Sequence, residues 1–209
     1  MFQNITPITK NIIILNVIVF ILAMLIPQSY QYLAAFFPTS PYFKSWQIIT
    51  HMFMHGGFMH IAFNMLTFAS FGPVLERFLG EKKFVILYFL SGLGAFALFN
   101  LWEYYQLYQD AQPLIVEGLQ FSDILKGDFE KFPVRLEGNA QNIVNILSTP
   151  MVGASGAIFG VIAAFSLLYP NAEMFIMFIP FPIKAKVLFP ISIIVSLYLG
   201  FSGSGGNIA

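Results

Sequence analysis

Long stretches without a charged side chain constrain the fold of this chain more than any other feature. Of its 209 residues only twenty are charged, and ten of these fall between Glu103 and Glu137. A helix that crosses a hydrocarbon core of about 30 Å needs about 20 mostly apolar residues, so each stretch is long enough for one span. The charge-free stretches are residues 11–43, 45–75, 84–102, 138–171 and 187–209.

The composition supports the same class and excludes others. Charged residues make up 10% of the chain, against about a quarter in ordinary soluble proteins, and the mean hydropathy is +0.75. A net charge of zero leaves no basic surface for nucleic acid. The absence of cysteine excludes disulfides, zinc-thiolate sites and a thiol nucleophile.

We therefore predict an all-α polytopic membrane protein, a single transmembrane domain over residues 1–209. The first span follows Lys10 and lacks a small-residue cleavage site, so we interpret it as a retained helix and not a signal peptide. Residues 27–59 are apolar but broken by prolines and glycines, which favours a loop in or on the membrane. Residues 103–150 form a hydrophilic insertion. The predicted spans are 11–27, 60–78, 84–102, 152–169 and 187–201.

The basic residues predict the orientation. With a cytoplasmic N-terminus, six Lys and Arg residues lie inside and four outside, as the positive-inside rule requires. The second and fourth spans then both enter from the outer face. Localisation in a bacterial inner membrane is expected.

All three histidines lie at the outer start of the second span. His60 and Asn64 are four residues apart, so they lie on one face of a helix in the outer part of the membrane. Such a pair is typical of a polar contact between membrane helices, and equally of a functional site. His51 and His55 share the spacing that metal ligands use, but no glutamate of a zinc motif accompanies them, and Gly56 and Gly57 favour a helix break before His60.

The fourth span begins with a run of small residues, Gly153 to Gly160, that contains Ser155. Gly156 and Gly160 form a GxxxG pair, and close helix packing is the simplest interpretation of it. The predicted topology, however, brings Ser155 to the same depth as His60 and Asn64, so the three side chains can share one pocket.

These features together closely resemble those of the rhomboid family of intramembrane serine proteases. The similarity covers essentially the whole chain in order and topology. It is carried by Trp46, His51, His55, His60, Asn64, Gly80 and the GxSG segment Gly153-Ala154-Ser155-Gly156.

The resemblance implies a rhomboid-like helical bundle that cleaves transmembrane segments of other membrane proteins in the bilayer, without metal or cofactor. Ser155 would be the nucleophile. His60 and Asn64 would join the Ser155 backbone N–H in an oxyanion hole, a kind of site in which each donor contributes roughly 10²- to 10³-fold to the rate. His51 and His55 would shape the outer loop by hydrogen bonding.

Two departures from the family pattern affect the expected activity. The family has Trp-Arg where this chain has Trp46-Gln47, so an anchoring role for Gln47 is in question. The family base is a histidine near the start of a sixth span, and this sequence stops at Ala209, about where the alanine before it would be. We expect five of six core helices in these 209 residues and little or no hydrolysis by them alone, because serine needs a base.

Two other classes of function remain open. A catalytically silent rhomboid-like protein that binds transmembrane clients is compatible with the missing base, although Ser155, His60 and Asn64 argue against it. A transporter or channel is disfavoured, because no acidic or basic side chain lies in the middle of a span and no internal repeat is visible.

Overall fold

A computed structural model describes residues 5–132, 138–174 and 182–201. The described parts contain nine α-helices, two 3₁₀ turns at His51–Phe53 and Phe129–Lys131, and an antiparallel pair of two-residue strands, β1 (Glu173–Met174) and β2 (Ile183–Lys184). The helices are α1 (Pro7–Leu25), α2 (Gln28–Leu33), α3 (Gln47–Thr50), α4 (Phe58–Leu79), α5 (Glu81–Val116), α6 (Phe121–Lys126), α7 (Asn139–Ser148), α8 (Ser155–Leu168) and α9 (Ala185–Phe201).

Each predicted span overlaps one of these helices. Among the described residues, α1, α4 and α5 are long and apolar enough to cross a membrane, whereas α8 and the apolar part of α9 are shorter. The outward faces of these helices expose large apolar side chains such as Leu25, Leu98 and Leu167. Such surfaces suit lipid and not water, so the predicted class of helical polytopic membrane protein is confirmed.

The bundle core lies between α1, α4, α5 and α8. Its largest fully buried side chains include Phe68 from α4 and Phe84 and Tyr88 from α5. The two phenylalanine rings are stacked with centroids 5.9 Å apart, and the Tyr88 ring lies 5.2 Å from that of Phe68. Aromatic contact of this kind fixes how deeply α4 and α5 interlock.

Small residues bring α5 and α8 into close contact. A methyl group placed on Gly156 would lie 2.4 Å from Ala95 Cβ, and one on Gly160 would lie 1.9 Å from Ser91 Oγ. The partner residue number falls as the α8 number rises, so the two helices run antiparallel. The GxxxG pair therefore packs α8 against α5, as the simplest interpretation of it predicts.

Glu76, near the end of α4, forms hydrogen bonds with the start of α1. Its buried carboxylate accepts hydrogen bonds from the Ile8 and Thr9 backbone N–H groups at 2.9 and 2.8 Å, and from the hydroxyls of Thr6 and Thr9. The first N–H groups of a helix have no partner within it, and a carboxylate is the most favourable acceptor for them. Glu76 therefore caps α1 from a different helix.

The third predicted span ends at residue 102, whereas α5 continues to Val116. A 36-residue helix is about 54 Å long and exceeds the hydrocarbon thickness. Its last turns pack with α6, α7 and Phe37 around a second apolar core, which includes Leu107, Ile124 and Ile143. The described parts of the insertion thus form a folded unit.

Candidate active site

The segment that precedes Ser155 is held in an unusual backbone conformation. Ser155 is the first residue of α8, and Gly153, two residues earlier, has φ = 126°, which side chains other than glycine rarely adopt. The Gly153 N–H donates to the backbone carbonyl of His51 at 3.0 Å. Met151 forms an isolated antiparallel bridge with Ala35, through hydrogen bonds of 2.7 and 3.0 Å. These contacts orient the start of α8.

Ser155 and His60 border the same small space. A methyl group on Gly153 would lie 2.9 Å from His60 Nε2 and 3.3 Å from Ser155 Oγ. Both side chains are partly exposed, so the space opens toward the surroundings of the bundle. Two features therefore require glycine at position 153. One is its backbone conformation, and the other is the close approach of the His60 ring.

Asn64 lies one helical turn further along α4 than His60. Its side chain is 8% exposed, and its amide Nδ2 has no hydrogen-bond partner among the described residues. A buried donor without an acceptor costs about 1 to 3 kcal/mol, so such groups are rare in folded proteins. The amide of Asn64 is a donor available to a ligand or a reacting group.

His51 and His55 lie before α4, in separate local structures. The His51 ring donates from Nδ1 to the Gln47 carbonyl at 2.8 Å and packs on Phe96 with ring centroids 5.4 Å apart. The His55 ring lies 5.1 Å from that of His60, edge to face, and neither of its nitrogens has a hydrogen-bond partner in the described parts. The hydrogen bond of His51 is of the kind expected to shape the loop. For His55 the described parts show ring packing on His60 in place of the expected hydrogen bond.

Burial of His55 predicts a pH dependence of stability. Burial, and secondarily a positive charge on His60, lowers the pKa of His55 from 6.5 to about 4. Between these values the unfolded chain binds a proton that the folded chain does not, so stability falls as the pH falls through that window. We expect a loss of up to about 3 kcal/mol by pH 4, seen in thermal unfolding in detergent. The pH profile of His55→Leu should be flatter, and an unchanged slope would contradict the assignment.

The described residues contain no group of three or more His, Cys, Asp or Glu side chains that could hold a metal ion. The chemistry of this site is that of a hydroxyl beside an imidazole and a buried amide. Within the described parts, Ser155 Oγ makes no side-chain hydrogen bond with any histidine.

One residue of structural importance was not anticipated from sequence. Gln47 is fully buried and its side chain hydrogen-bonds to backbone groups of the preceding loop, from Gln31 to Lys44. In the sequence, only its position after Trp46 drew attention to it. The family has arginine at that position, so glutamine there put an anchoring contact in question. The structure shows that a glutamine can anchor this loop.

Comparisons with known proteins agree with this architecture. The model of the Rhomboid domain family matches residues 42–119 and 131–209. The chain is 32% identical to the mitochondrial rhomboid protein 1 of Saccharomyces cerevisiae over 146 residues, which is 70% of this chain and 32% of that protein. It is 33% identical to the rhomboid protease GlpG of Klebsiella pneumoniae over 93 residues, which is 44% of this chain and 34% of that protein.

A shorter similarity extends the comparison to a third relative. The putative rhomboid protease YdcA of Bacillus subtilis is 42% identical over 48 residues, 23% of this chain and 24% of that protein. The chain thus spans about a third or less of the length of these curated relatives. Because the family model covers most of the chain, including the histidine cluster and the Ser155 segment, the chain belongs to the rhomboid family.

Proposed function

We propose that the protein is an intramembrane serine endopeptidase in which Ser155 is the nucleophile and His60 and Asn64 stabilise the oxyanion. The observation that carries the proposal is that Ser155 Oγ and His60 Nε2 both lie close to Gly153. Asn64, one helical turn from His60, has a buried Nδ2 without a hydrogen-bond partner among the described residues.

The proposed reaction follows from these groups. Ser155 Oγ attacks the carbonyl carbon of a substrate peptide bond and loses its proton to a base, and the carbonyl oxygen becomes an oxyanion. Asn64 Nδ2, the His60 ring and the free N–H groups in the first turn of α8 are the donors for that oxygen. The tetrahedral intermediate then collapses: the C–N bond breaks, and the amine product leaves with the proton that the base took from Ser155. Water attacks the resulting acyl enzyme and gives a proton to the base, the ester bond to Ser155 Oγ breaks, the serine recovers its proton, and the product with the new carboxyl group leaves.

The base is proposed to lie outside these 209 residues. None of the three histidines hydrogen-bonds to Ser155 in the described parts, and burial keeps the pKa of His51 and of His55 low. Activity assays should therefore use the full-length product of the natural gene. The expectation of little hydrolysis by residues 1–209 alone is part of this proposal.

The proposed substrates are transmembrane segments of other membrane proteins. A site on helices with lipid-facing surfaces favours a client that arrives within the bilayer, and an extended, partly unwound segment is needed to present a carbonyl to Ser155. We further propose a bacterial inner membrane. The distribution of Lys and Arg supports a cytoplasmic N-terminus within this proposal. The catalytically silent client-binding protein is the competing outcome.

The amide of Asn64 tests the oxyanion assignment. Asn64→Ala in the full-length protein should lower kcat for a transmembrane reporter by about 10²-fold with little change in KM, because an oxyanion donor acts only in the transition state. The matched control is Asn100→Ala, since Asn100 Nδ2 donates to the Phe96 carbonyl of its own helix. The assignment is wrong if the two variants cleave equally well.

A further inference from the structure

We infer that Gln47 is a positioning residue for the Ser155 segment. Its side chain is 0% exposed and uses both ends of its amide. Oε1 accepts from the Lys44 N–H at 3.0 Å and the Phe36 N–H at 3.4 Å, and Nε2 donates to the carbonyls of Gln31 and Tyr42 at 3.1 and 3.3 Å. No single-function side chain, donor only or acceptor only, could make all four contacts.

Gln47 belongs to a face of α3 that caps the end of α2. The last carbonyls of a helix lack partners within it. Here Gln47 Nε2 donates to the Gln31 carbonyl, Trp46 Nε1 to the Tyr32 carbonyl at 2.9 Å, and Thr50 Oγ1 to the Leu33 carbonyl at 2.7 Å. Three consecutive carbonyls of α2 are thereby satisfied from α3 and from Trp46, the residue before it, which sets the direction in which the chain leaves α2.

Two parts of the chain, here called supports, contact the segment that precedes Ser155. The first support is the chain that leaves α2. Ala34 and Ala35 follow directly and are buried, and Ala35 pairs with Met151. The second support is His51, whose ring is held by the Gln47 carbonyl and whose own carbonyl accepts from Gly153. Gln47 therefore orients one support with its side chain and the other with its backbone.

Both supports end within four residues of Ser155. A shift of Ala35 or His51 would move Gly153, and Gly153 lies against His60 Nε2 and Ser155 Oγ. Loss of the Gln47 contacts should therefore change the separation of the nucleophile from the oxyanion donors. This inference rests on the proposed function, because it assigns Gln47 to the reaction only through Ser155.

The test compares two variants of the full-length protein that remove buried polar contacts at opposite ends of the bundle. Gln47→Met keeps the length of the side chain and removes its hydrogen bonds, whereas Glu76→Gln weakens the cap of α1 far from Ser155. The readouts are the thermal midpoint in detergent, kcat and KM on a transmembrane reporter, and the labelling rate of Ser155 by a fluorophosphonate. The labelling rate reports on the nucleophile without any substrate binding.

A positioning role predicts at least about a tenfold loss of kcat and of labelling rate in Gln47→Met, with KM within about twofold. Glu76→Gln should lose thermal stability yet label at close to the wild-type rate. The inference is overturned if Gln47→Met labels like the wild type, or if Glu76→Gln loses labelling to the same extent for the same loss of stability.

A second variant covers the case in which Gln47→Met does not accumulate in the membrane. Gln47→Glu keeps both acceptor contacts but turns a carboxylate oxygen toward the carbonyls of Gln31 and Tyr42. A labelling rate below that of the wild type is therefore expected, and wild-type labelling would overturn the inference. Ser155→Ala separates the two proposals. If it still cleaves, the proposed function fails; if it is inactive while both Gln47 variants are fully active, only the positioning role fails.

Discussion

Replacement of Ser155 by alanine is expected to lower the cleavage of a transmembrane reporter by the full-length protein by at least about 10³-fold. The hydroxyl is the only proposed nucleophile at the point where His60 and Gly153 meet, and alanine removes it without adding volume. The measurement is product formation in proteoliposomes, with the variant's thermal midpoint determined in parallel.

Ser166→Ala is the matched control for this prediction. Ser166 lies on the same helix, and its buried hydroxyl has no hydrogen-bond partner in the described parts of the chain. Its removal should leave cleavage unchanged. Equal activity of Ser155→Ala and the wild type would exclude the serine mechanism. A wild-type protein that binds transmembrane peptides but never cleaves them would favour the silent client-binding alternative.

Gly160→Ala is expected to be the most damaging single methyl addition to the bundle. The new Cβ would lie 1.9 Å from Ser91 Oγ and 2.3 Å from Ser91 Cβ, and a Cβ atom cannot move aside by changing rotamer. Helices α5 and α8 would have to separate, at a cost of about 2 to 3 kcal/mol. Thermal unfolding in detergent should show a correspondingly lower midpoint.

The packing explanation can be isolated with a second substitution. Ser91→Gly removes both clashing atoms, and the next contact, Ser91 Cα, lies 3.6 Å from the new methyl group. The double variant should therefore recover most of the stability that Gly160→Ala loses. Gly94→Ala is the control on the neighbouring helix, since nothing lies within 4 Å of that position and alanine favours helix. If Gly94→Ala is as destabilising as Gly160→Ala, or Ser91→Gly restores nothing, helix contact is not the cause.

Helical architecture was predictable from sequence because the membrane imposes it. Every backbone polar group in hydrocarbon must be satisfied within its own segment, so a charge-free stretch of sufficient length has few alternatives to a helix. Family membership was predictable for a related reason. The polar residues His60, Asn64 and Ser155 stand out in an apolar sequence, and their spacing and order match a specific pattern.

The folded unit formed by the insertion was not predictable in the same way. Charge marks where a helix leaves the membrane but not where it ends, so the pattern at residue 102 did not reveal the continuation of α5 to Val116. In a single sequence, the apolar residues of this unit look the same as apolar residues that face lipid. Only the packing of Leu107, Ile124 and Ile143 distinguishes them as a core.

The sequence by itself determined the membrane class, the order of the apolar helices and the family, because these depend on local composition and spacing. Tertiary structure alone decided which groups meet. It brought Gly153 against His60, left the Asn64 amide without a partner, and joined Gln47 to the Ser155 segment through Ala35 and His51. Such contacts join residues that are distant in the chain. The hydrogen bonds that fix these contacts form only when the helices have packed against one another.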